Sequence, residues 1–348
     1  MKNSKKIENK EELLKFALVT QNSGEDIVSI IDKRNAAGKW VSWGSKNDLP
    51  KILWDNYLKC SNLQTIVNAI YDYIVGEGIT TNFSSNITEV IEKCIFDDIV
   101  FGGFAVECLR GRSGKIVQIN YMNVMNVRVN EDLTTAYLSN KWGSYSGKDI
   151  IELPLYNPNE NQNHFIYFNR GKITRNINPT PTYIGAMKSV EILNSTRNFH
   201  LNNLKNGFNV SAIINLNNGN IKSKELEEIK DRLEKNFTGS ENAGKFMLIN
   251  NPDKQHSATV ERLNADNFSD LYQALDKSSK EDLYVAFRIN PILVGQNVAT
   301  GFSKEEFEQA YKLFDTTVIK SWKNKINKCF NDLGIEVTFN PFKINWSE

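Results

Sequence analysis

Three histidines, His164, His200 and His256, are the chain's whole supply of imidazole. None has a second histidine or a cysteine at metal-ligand spacing. The four cysteines, Cys60, Cys94, Cys108 and Cys329, are scattered. That pattern fits reduced thiols in a cytosolic setting better than a disulfide frame or a zinc site. No Gly-rich loop ends in Lys-Ser/Thr, so ATP hydrolysis has no anchor, and no Gly-x-Ser-x-Gly elbow presents a nucleophile. The carboxylate pairs Asp97-Asp98, Glu227-Glu228 and Glu305-Glu306 are adjacent on expected helices. Neighbours in sequence do not face one another there, so these pairs read as solvated faces. The sequence therefore predicts no catalytic residue, no metal and no cofactor.

Charge placement says more. The net charge is +1 over 348 residues. A general nucleic-acid coat needs a large basic excess, so this chain is not one, although DNA can pass nearby without being held. From Glu261 to Val285 there are six acids against three bases. From Val318 to Lys328 there are four lysines, Lys320, Lys323, Lys325 and Lys328, and no acid. That run is either a favourable helix C-terminus or, if copies assemble about an axis, a ring of positive charge facing DNA. Hydrophobic content of 40% is enough for a real core. No apolar run reaches membrane-spanning length, and the polar N-terminus lacks an apolar signal core.

The elements that would position these residues start with a strand at 26–31. Trp40 to Pro50 then reads as a turn feeding a helix, with Trp40 and Trp43 as an aromatic contact site or edge packing. Helical spacing runs through Leu63, Ile66, Val67, Ile70 and Ile74 and again from Ile87 to Val100, each run ended by glycine. Phe104–Leu109 and Lys115–Tyr121, joined by Arg110-Gly111-Arg112-Ser113-Gly114, predict a hairpin. Further strands at 127–129, 136–138, 150–153 and 164–167 make this an antiparallel β module. A helix over 184–206 follows, with Leu193 and Leu201 on its apolar face. A strand at 210–216, a charged-faced helix at 224–237 and a strand at 245–249 form a compact unit. A third strand is expected at 259–263.

The organising stretch runs from Asp266 to Leu333. Phe268, Leu271, Leu275, Leu283 and Phe287 make an apolar helical stripe ending at Arg288. Ile289 to Phe302 cannot be one regular element, because Pro291 lacks a backbone donor and Gly295 and Gly301 bracket a small-residue tip. Ser303 with Glu306 predicts a capping box. The helix it starts reaches Leu333, roughly 45 Å if unbroken, and Gly334 stops it. A length like that predicts a spanning part or a kinked pair. A terminal strand at 334–339 completes the chain.

Laid out in this order, the chain resembles the portal proteins of tailed bacteriophages, of the small lambdoid and PBSX-like kind. The resemblance rests on Phe101-Gly102-Gly103-Phe104-Ala105-Val106-Glu107, Tyr183-Ile184-Gly185-Ala186, Phe199 through Phe208, Phe237 through Lys245, and Phe287 through Gly295. It covers roughly residues 40 to 340. It implies an α+β portal-type fold: a wing over 1–182, stem helices at 183–207 and 251–289, a strand–helix–strand clip at 208–250, a tunnel loop at 290–302, and a long kinked helix with a terminal strand at 303–348. Little chain remains after Leu333, so a crown is reduced or absent. The resemblance further implies a homo-oligomeric ring, usually of twelve copies, at one capsid vertex of a virion assembled in the host cytoplasm. Its expected partners are the terminase large subunit, a head–tail adaptor, the major capsid protein and double-stranded DNA passing non-specifically, with no membrane.

Under that resemblance the tunnel loop would present Gln296, Asn297, Val298, Ala299 and Thr300. The clip would meet terminase or adaptor through Asn217, Asn218, Lys224, Glu228, Asn242 and Lys245. An uncharged loop can touch DNA without gripping it, since every phosphate contact adds affinity and slows sliding. Two other readings stand beside this one: a metal-dependent, nuclease-like enzyme that clamps DNA with residues 208–250, and another phage structural protein that closes rings without a DNA channel.

Overall fold

The computed structural model describes residues 32–34, 38–83, 86–142, 150–172, 175–205, 210–216, 228, 245–250, 259–261, 266–296 and 303–343. The expected strand at 26–31 lies outside them. The fold is α+β, in two compact units. The first takes its described residues from Met1–Asp55, Val67–Gly185 and Tyr311–Glu348, and the second from Asn56–Ile66 and Ala186–Ala310.

The first unit opens with β1 (Asp32–Arg34) antiparallel to β2 (Val41–Trp43). Helices α1 (Leu49–Lys59), α2 (Ser61–Val75) and α3 (Ile87–Phe101) follow along the chain, with Asn56–Ile66 of the first two counted in the second unit and β3 (Ile79–Thr81) between the last two. The predicted hairpin is β4 (Phe104–Arg110) with β5 (Ile116–Met122), and β9 (His164–Asn169) joins the other edge of β4. The antiparallel module is two three-stranded sheets rather than one. A 3-10 turn at Val124–Asn126, its first amide-bearing residues capped by the Asn123 side chain, redirects the chain after β5. β6 (Val127–Val129), β7 (Thr135–Leu138) and β8 (Ile151–Pro154) then make the second sheet. Ala105, Val127, Val129, Ala136 and Ile166 from both sheets share one buried cluster. Alternation along each strand supplies that face.

The tryptophans are packing, not an exposed contact site. Trp43 is fully buried and Trp40 nearly so. The Arg128 guanidinium lies over two indoles, 5.5 Å from the Trp43 ring centroid and 4.9 Å from that of Trp142. Its donors go to Asn47 Oδ1 at 2.5 Å, Asn47 O at 3.1 Å, Met125 O at 3.0 Å and Val127 O at 2.7 Å. Burial lowers the Arg128 pKa to about 9. Carbonyl acceptors and ring faces thus take the place a carboxylate would occupy.

The long C-terminal helix is capped as its sequence requires. The Ser303 hydroxyl accepts from the Glu306 amide at 3.1 Å, and the Glu306 carboxylate accepts from the Ser303 amide at 3.3 Å. It runs as α6 (Lys304–Phe314), a π turn at Asp315–Ile319 and α7 (Lys320–Asp332). Within that turn Thr316 and Thr317 donate their hydroxyls to the Lys312 and Leu313 carbonyls, both at 2.8 Å. Side-chain bonds to a carbonyl one turn back loosen the ladder at the place where it widens. After Gly334, at φ +77°, β13 (Val337–Phe339) pairs antiparallel with β3. The terminal strand was legible in the sequence; its partner, hundreds of residues away, was not.

The pair Asp97-Asp98 corrects the expectation of a solvated face. Asp97 is 3% exposed and Asp98 0%. α3 carries Ile95, Ile99, Val100 and Phe101 around these two acids and is apolar on every side there, so neither carboxylate has a solvent face to turn to. Asp98 Oδ1 accepts from the Lys325 ammonium of α7, while its Oδ2 has no hydrogen-bond partner among the described residues. Burial raises the Asp98 pKa and Lys325 opposes the rise. The same end of α7 is tied to β9 by Asn169 Nδ2 to Cys329 Sγ at 2.7 Å and by Tyr167 OH to Asp332 Oδ2 at 3.1 Å. Crowding at the end of α3 completes the join. A Cβ on Gly102 would sit 2.2 Å from the Thr180 carbonyl carbon, and one on Gly171 would sit 1.7 Å from the Gly102 oxygen.

Two outcomes follow. Lys325→Met leaves Asp98 buried without its counter-ion and should cost about 3–5 kcal/mol in urea denaturation, whereas adding Asp98→Leu to it should recover most of the loss. Asp97 behaves differently, because burial pushes its carboxyl up to about 7 against the opposing hydrogen bonds from Tyr121 and the Val124 amide. Between about pH 4 and pH 7 the folded chain keeps a proton that the unfolded chain releases, so this group's contribution to stability falls as pH rises through that window. Asp97→Asn should therefore be close to neutral near pH 4 and stabilising, by up to a few kcal/mol, near pH 8. A wild-type-minus-variant difference independent of pH would show that Asp97 ionises like an exposed carboxylate.

Candidate functional site

In the second unit, α4 (Met187–Lys205) packs on α5 (Asp266–Phe287). Val190 and Leu193 of α4 and Leu283 and Phe287 of α5 are buried, and Ser189 Oγ donates to Asp282 Oδ2 at 2.7 Å. Leu201 and Leu275, expected on apolar faces, are exposed. Near them an aromatic pair, Phe199 and Tyr272 with centroids 4.9 Å apart, takes the place of a deep aliphatic stripe.

The segment after α5 is less pliable at its base than its composition implies. Arg288 takes φ +54° and breaks the helix, while the Ile289 amide still reaches the Tyr284 carbonyl at 3.0 Å. Asn290 caps a 3-10 turn over Pro291–Val294 by accepting from the Ile292 amide at 3.0 Å. Gly295 closes it at φ +72°, and Gln296 N bonds to the Pro291 carbonyl at 3.0 Å. Ile289 and Leu293 are buried beneath. Pro291 thus sits where its missing donor costs nothing, at the first position of a turn. The Gln296 side chain accepts from the Tyr284 hydroxyl, so it belongs to the base of the loop. Asn297, Val298, Ala299 and Thr300 lie outside the described residues.

The sheet of the proposed clip has β10 (Val210–Leu216) at its centre, parallel to β11 (Lys245–Asn250) and antiparallel to β12 (Thr259–Glu261). A parallel neighbour demands a crossover of a dozen or more residues, which the intervening chain supplies. Glu228 is exposed and helical, and Lys245 opens β11 opposite Val210. Asn217, Asn218, Lys224 and Asn242 lie outside the described residues.

The basic run is not one surface. Lys320 is exposed, 3.6 Å from Asp315, and Lys328 is exposed. Lys323 lies 5.7 Å from the Phe339 ring centroid, and burial lowers its pKa. Lys325 points inward to Asp98 and is committed there. The signal for this was available and unread: an acid pair embedded in Cys94-Ile95-Phe96 and Ile99-Val100-Phe101 needs a buried cation from elsewhere.

Of the histidines, His164 Nε2 lies 2.8 Å from Glu107, and His200 packs edge-on to Tyr272. His256 lies outside the described residues. Among the described residues no group of three or more His, Cys, Asp and Glu side chains could hold a metal ion. Nor is any helix among them long and apolar enough to cross a membrane.

Three solved structures share this fold at low identity. The virion of a native gene transfer agent particle contains a chain with TM-score 0.57 and 13% identity, covering 84% of each chain. The neck of an empty gene transfer agent particle, with C6 symmetry, gives TM-score 0.54 at 10% identity, with 84% of each chain covered. The neck of the native particle, with C12 symmetry, gives 0.50 at 13%, again with 84% of each covered. No curated protein matches the chain. The phage portal protein family model matches residues 80–346, well over half of the sequence and every element of the α4–loop–α7 arrangement. This protein belongs to the phage portal protein family.

Proposed function

We propose that copies of this portal protein close into a ring at one vertex of a capsid, and that the genome enters and leaves through its bore. The observation that carries this is the family match over residues 80–346, which takes in both long helices, the segment joining them and the returning helix. The fold it shares with chains in gene transfer agent necks of C12 and C6 symmetry supports a ring. In that reading residues 1–182 form the wing, 183–207 and 251–289 the stem, 208–250 the clip, 290–302 the tunnel loop and 303–348 the return to the wing. The clip faces the terminase large subunit during packaging and a head–tail adaptor afterwards, and the wing meets the major capsid protein. The protein is a conduit, not a catalyst.

The charge pattern suits that work. A channel must not hold its cargo, because affinity for a polyanion grows with every phosphate neutralised. A rigid 3-10 base under an uncharged tip of Asn297 to Thr300 lets a loop border DNA without binding it. Lys320, Lys323 and Lys328 remain as the cations of the basic run that could face DNA, since Lys325 neutralises Asp98 instead.

Native mass spectrometry and negative-stain imaging of the purified protein test the proposal together. A closed homo-oligomer with an open bore wide enough for a duplex is the expected result. A monomer, or a closed disc without a bore, would overturn it. Magnesium-dependent cleavage of duplex DNA by the same preparation would favour the nuclease-like reading instead.

A further inference from the structure

The first unit carries a socket and a knob of opposite charge at the two ends of one hairpin. The socket is a cavity of about 310 Å³ where α2, α3 and β5 meet. Its walls are aromatic: Tyr71 and Phe96 pack edge to face at 6.4 Å between centroids, and Tyr121 lines the β5 side. Its accessible acids are Glu89 and Glu92, against one base, Lys93, with Asp97 buried in the wall and hydrogen-bonded to Tyr121. Lys93 is already bound to Glu89 at 2.6 Å, and its ammonium lies 5.6 Å from the Tyr121 ring centroid. One ring face of the socket thus already takes a cation. Glu92 is left without an ion-pair partner among the described residues, beside two aromatic walls. A carboxylate set against ring faces is a receptor for a lysine or arginine side chain.

The knob is the β4–β5 turn. Gly111 N bonds to the Lys115 carbonyl and Gly114 N to the Gly111 carbonyl, each at 2.9 Å, and Arg110 Nη1 reaches the Gly114 carbonyl at 2.9 Å. The turn is therefore held in one shape. It presents Arg112 and Lys115 to solvent, with Val117, 61% exposed, beside them. From Leu109 to Tyr121 there is no acid.

Knob and socket lie on one stiff strand pair, at opposite ends of β5. Tyr121 is five residues from Ile116, or roughly 17 Å along an extended strand. A chain cannot fill its own socket with its own turn. A second copy can, and a contact between two different patches of identical chains propagates head to tail and closes into a ring where the rotation allows. We propose that the Arg112–Lys115 turn of one protomer seats in the Tyr71–Glu92–Tyr121 socket of the next, as a lateral contact around the ring. This rests on the ring assembly proposed above and adds the residues that join its neighbours. Contacts of exposed charges are salt-sensitive, so the assembly loosens as ionic strength rises.

Two single variants, Glu92→Cys and Arg112→Cys, test the contact. The four native cysteines are all buried, so the introduced thiol is the reactive one. An arginine–glutamate pair spans more than the Cα separation a disulfide tolerates, so the linker is a short bismaleimide. The variants are purified apart, co-assembled and then cross-linked. Covalent dimers in the mixture, and none in either variant alone, are expected. Dimers from Glu92→Cys alone would mean a two-fold contact and overturn the head-to-tail arrangement. A ring that assembles but yields no mixed dimer would overturn this contact while leaving the ring intact. A chain that never leaves the monomer would overturn both. In parallel, Glu92→Lys should raise the protein concentration for half-assembly about tenfold or more, and Arg112→Glu with Lys115→Glu added to it should bring it back. Failure of the swapped set to recover, with each variant folded by circular dichroism, counts against the pairing.

Discussion

A single buried ion pair closes this molecule's first unit on itself. Asp98 sits on the buried C-terminal part of α3 and Lys325 on the last helix of the chain. Neither charge could be taken from water alone, since an isolated buried carboxylate is strongly penalised. The pairing therefore fixes where α7 must lie, and the neighbouring bonds to Cys329 and Asp332 follow from that placement. β13 then reaches β3 to pair with it. An apolar pair would hold the two helices together at least as well. What the ion pair adds is a single allowed register, because sliding α7 by one residue would strand both charges.

The close approach around Gly102 serves the same join. Gly102 ends α3, and the loops bearing Gly171 and Thr180 press against its backbone closely enough that no side chain fits. Tyr183, fully buried, donates its hydroxyl to the Val100 carbonyl at 2.7 Å. The helix that carries the two buried acids is thus terminated, crowded and hydrogen-bonded at one end. An element so constrained is a firm base for whatever its exposed side meets, and its exposed side includes Glu89, Glu92 and Lys93.

In the second unit the constraint is local rather than long-range. Arg288 breaks α5 in a left-handed conformation, and seven residues later the 3-10 turn ends in Gly295. Buried Ile289 and Leu293 pin this turn from below. The chain leaves α5 in a defined direction, set by the 3-10 turn over Pro291–Val294.

Periodicity and capping chemistry made most elements legible in the sequence. The helices over 61–75, 87–101, 187–205 and 266–287, the β4–β5 hairpin, the Ser303–Glu306 capping box and the stop at Gly334 all follow from residues within a few positions of each other. The family resemblance, carried by motifs such as Phe101-Gly102-Gly103-Phe104, was legible for the same reason. What was misread depended on distance. Asp97 and Asp98 look like a solvated pair until α7 arrives with Lys325. Lys325 looks like one of four surface cations until Asp98 claims it. The split of the β module into two sheets, the partner of β13 and the tryptophan cage around Arg128 were likewise decided by packing. Local sequence sets dihedral preference and amphipathic face, but which charges meet in the interior is fixed only when segments hundreds of residues apart exclude water together.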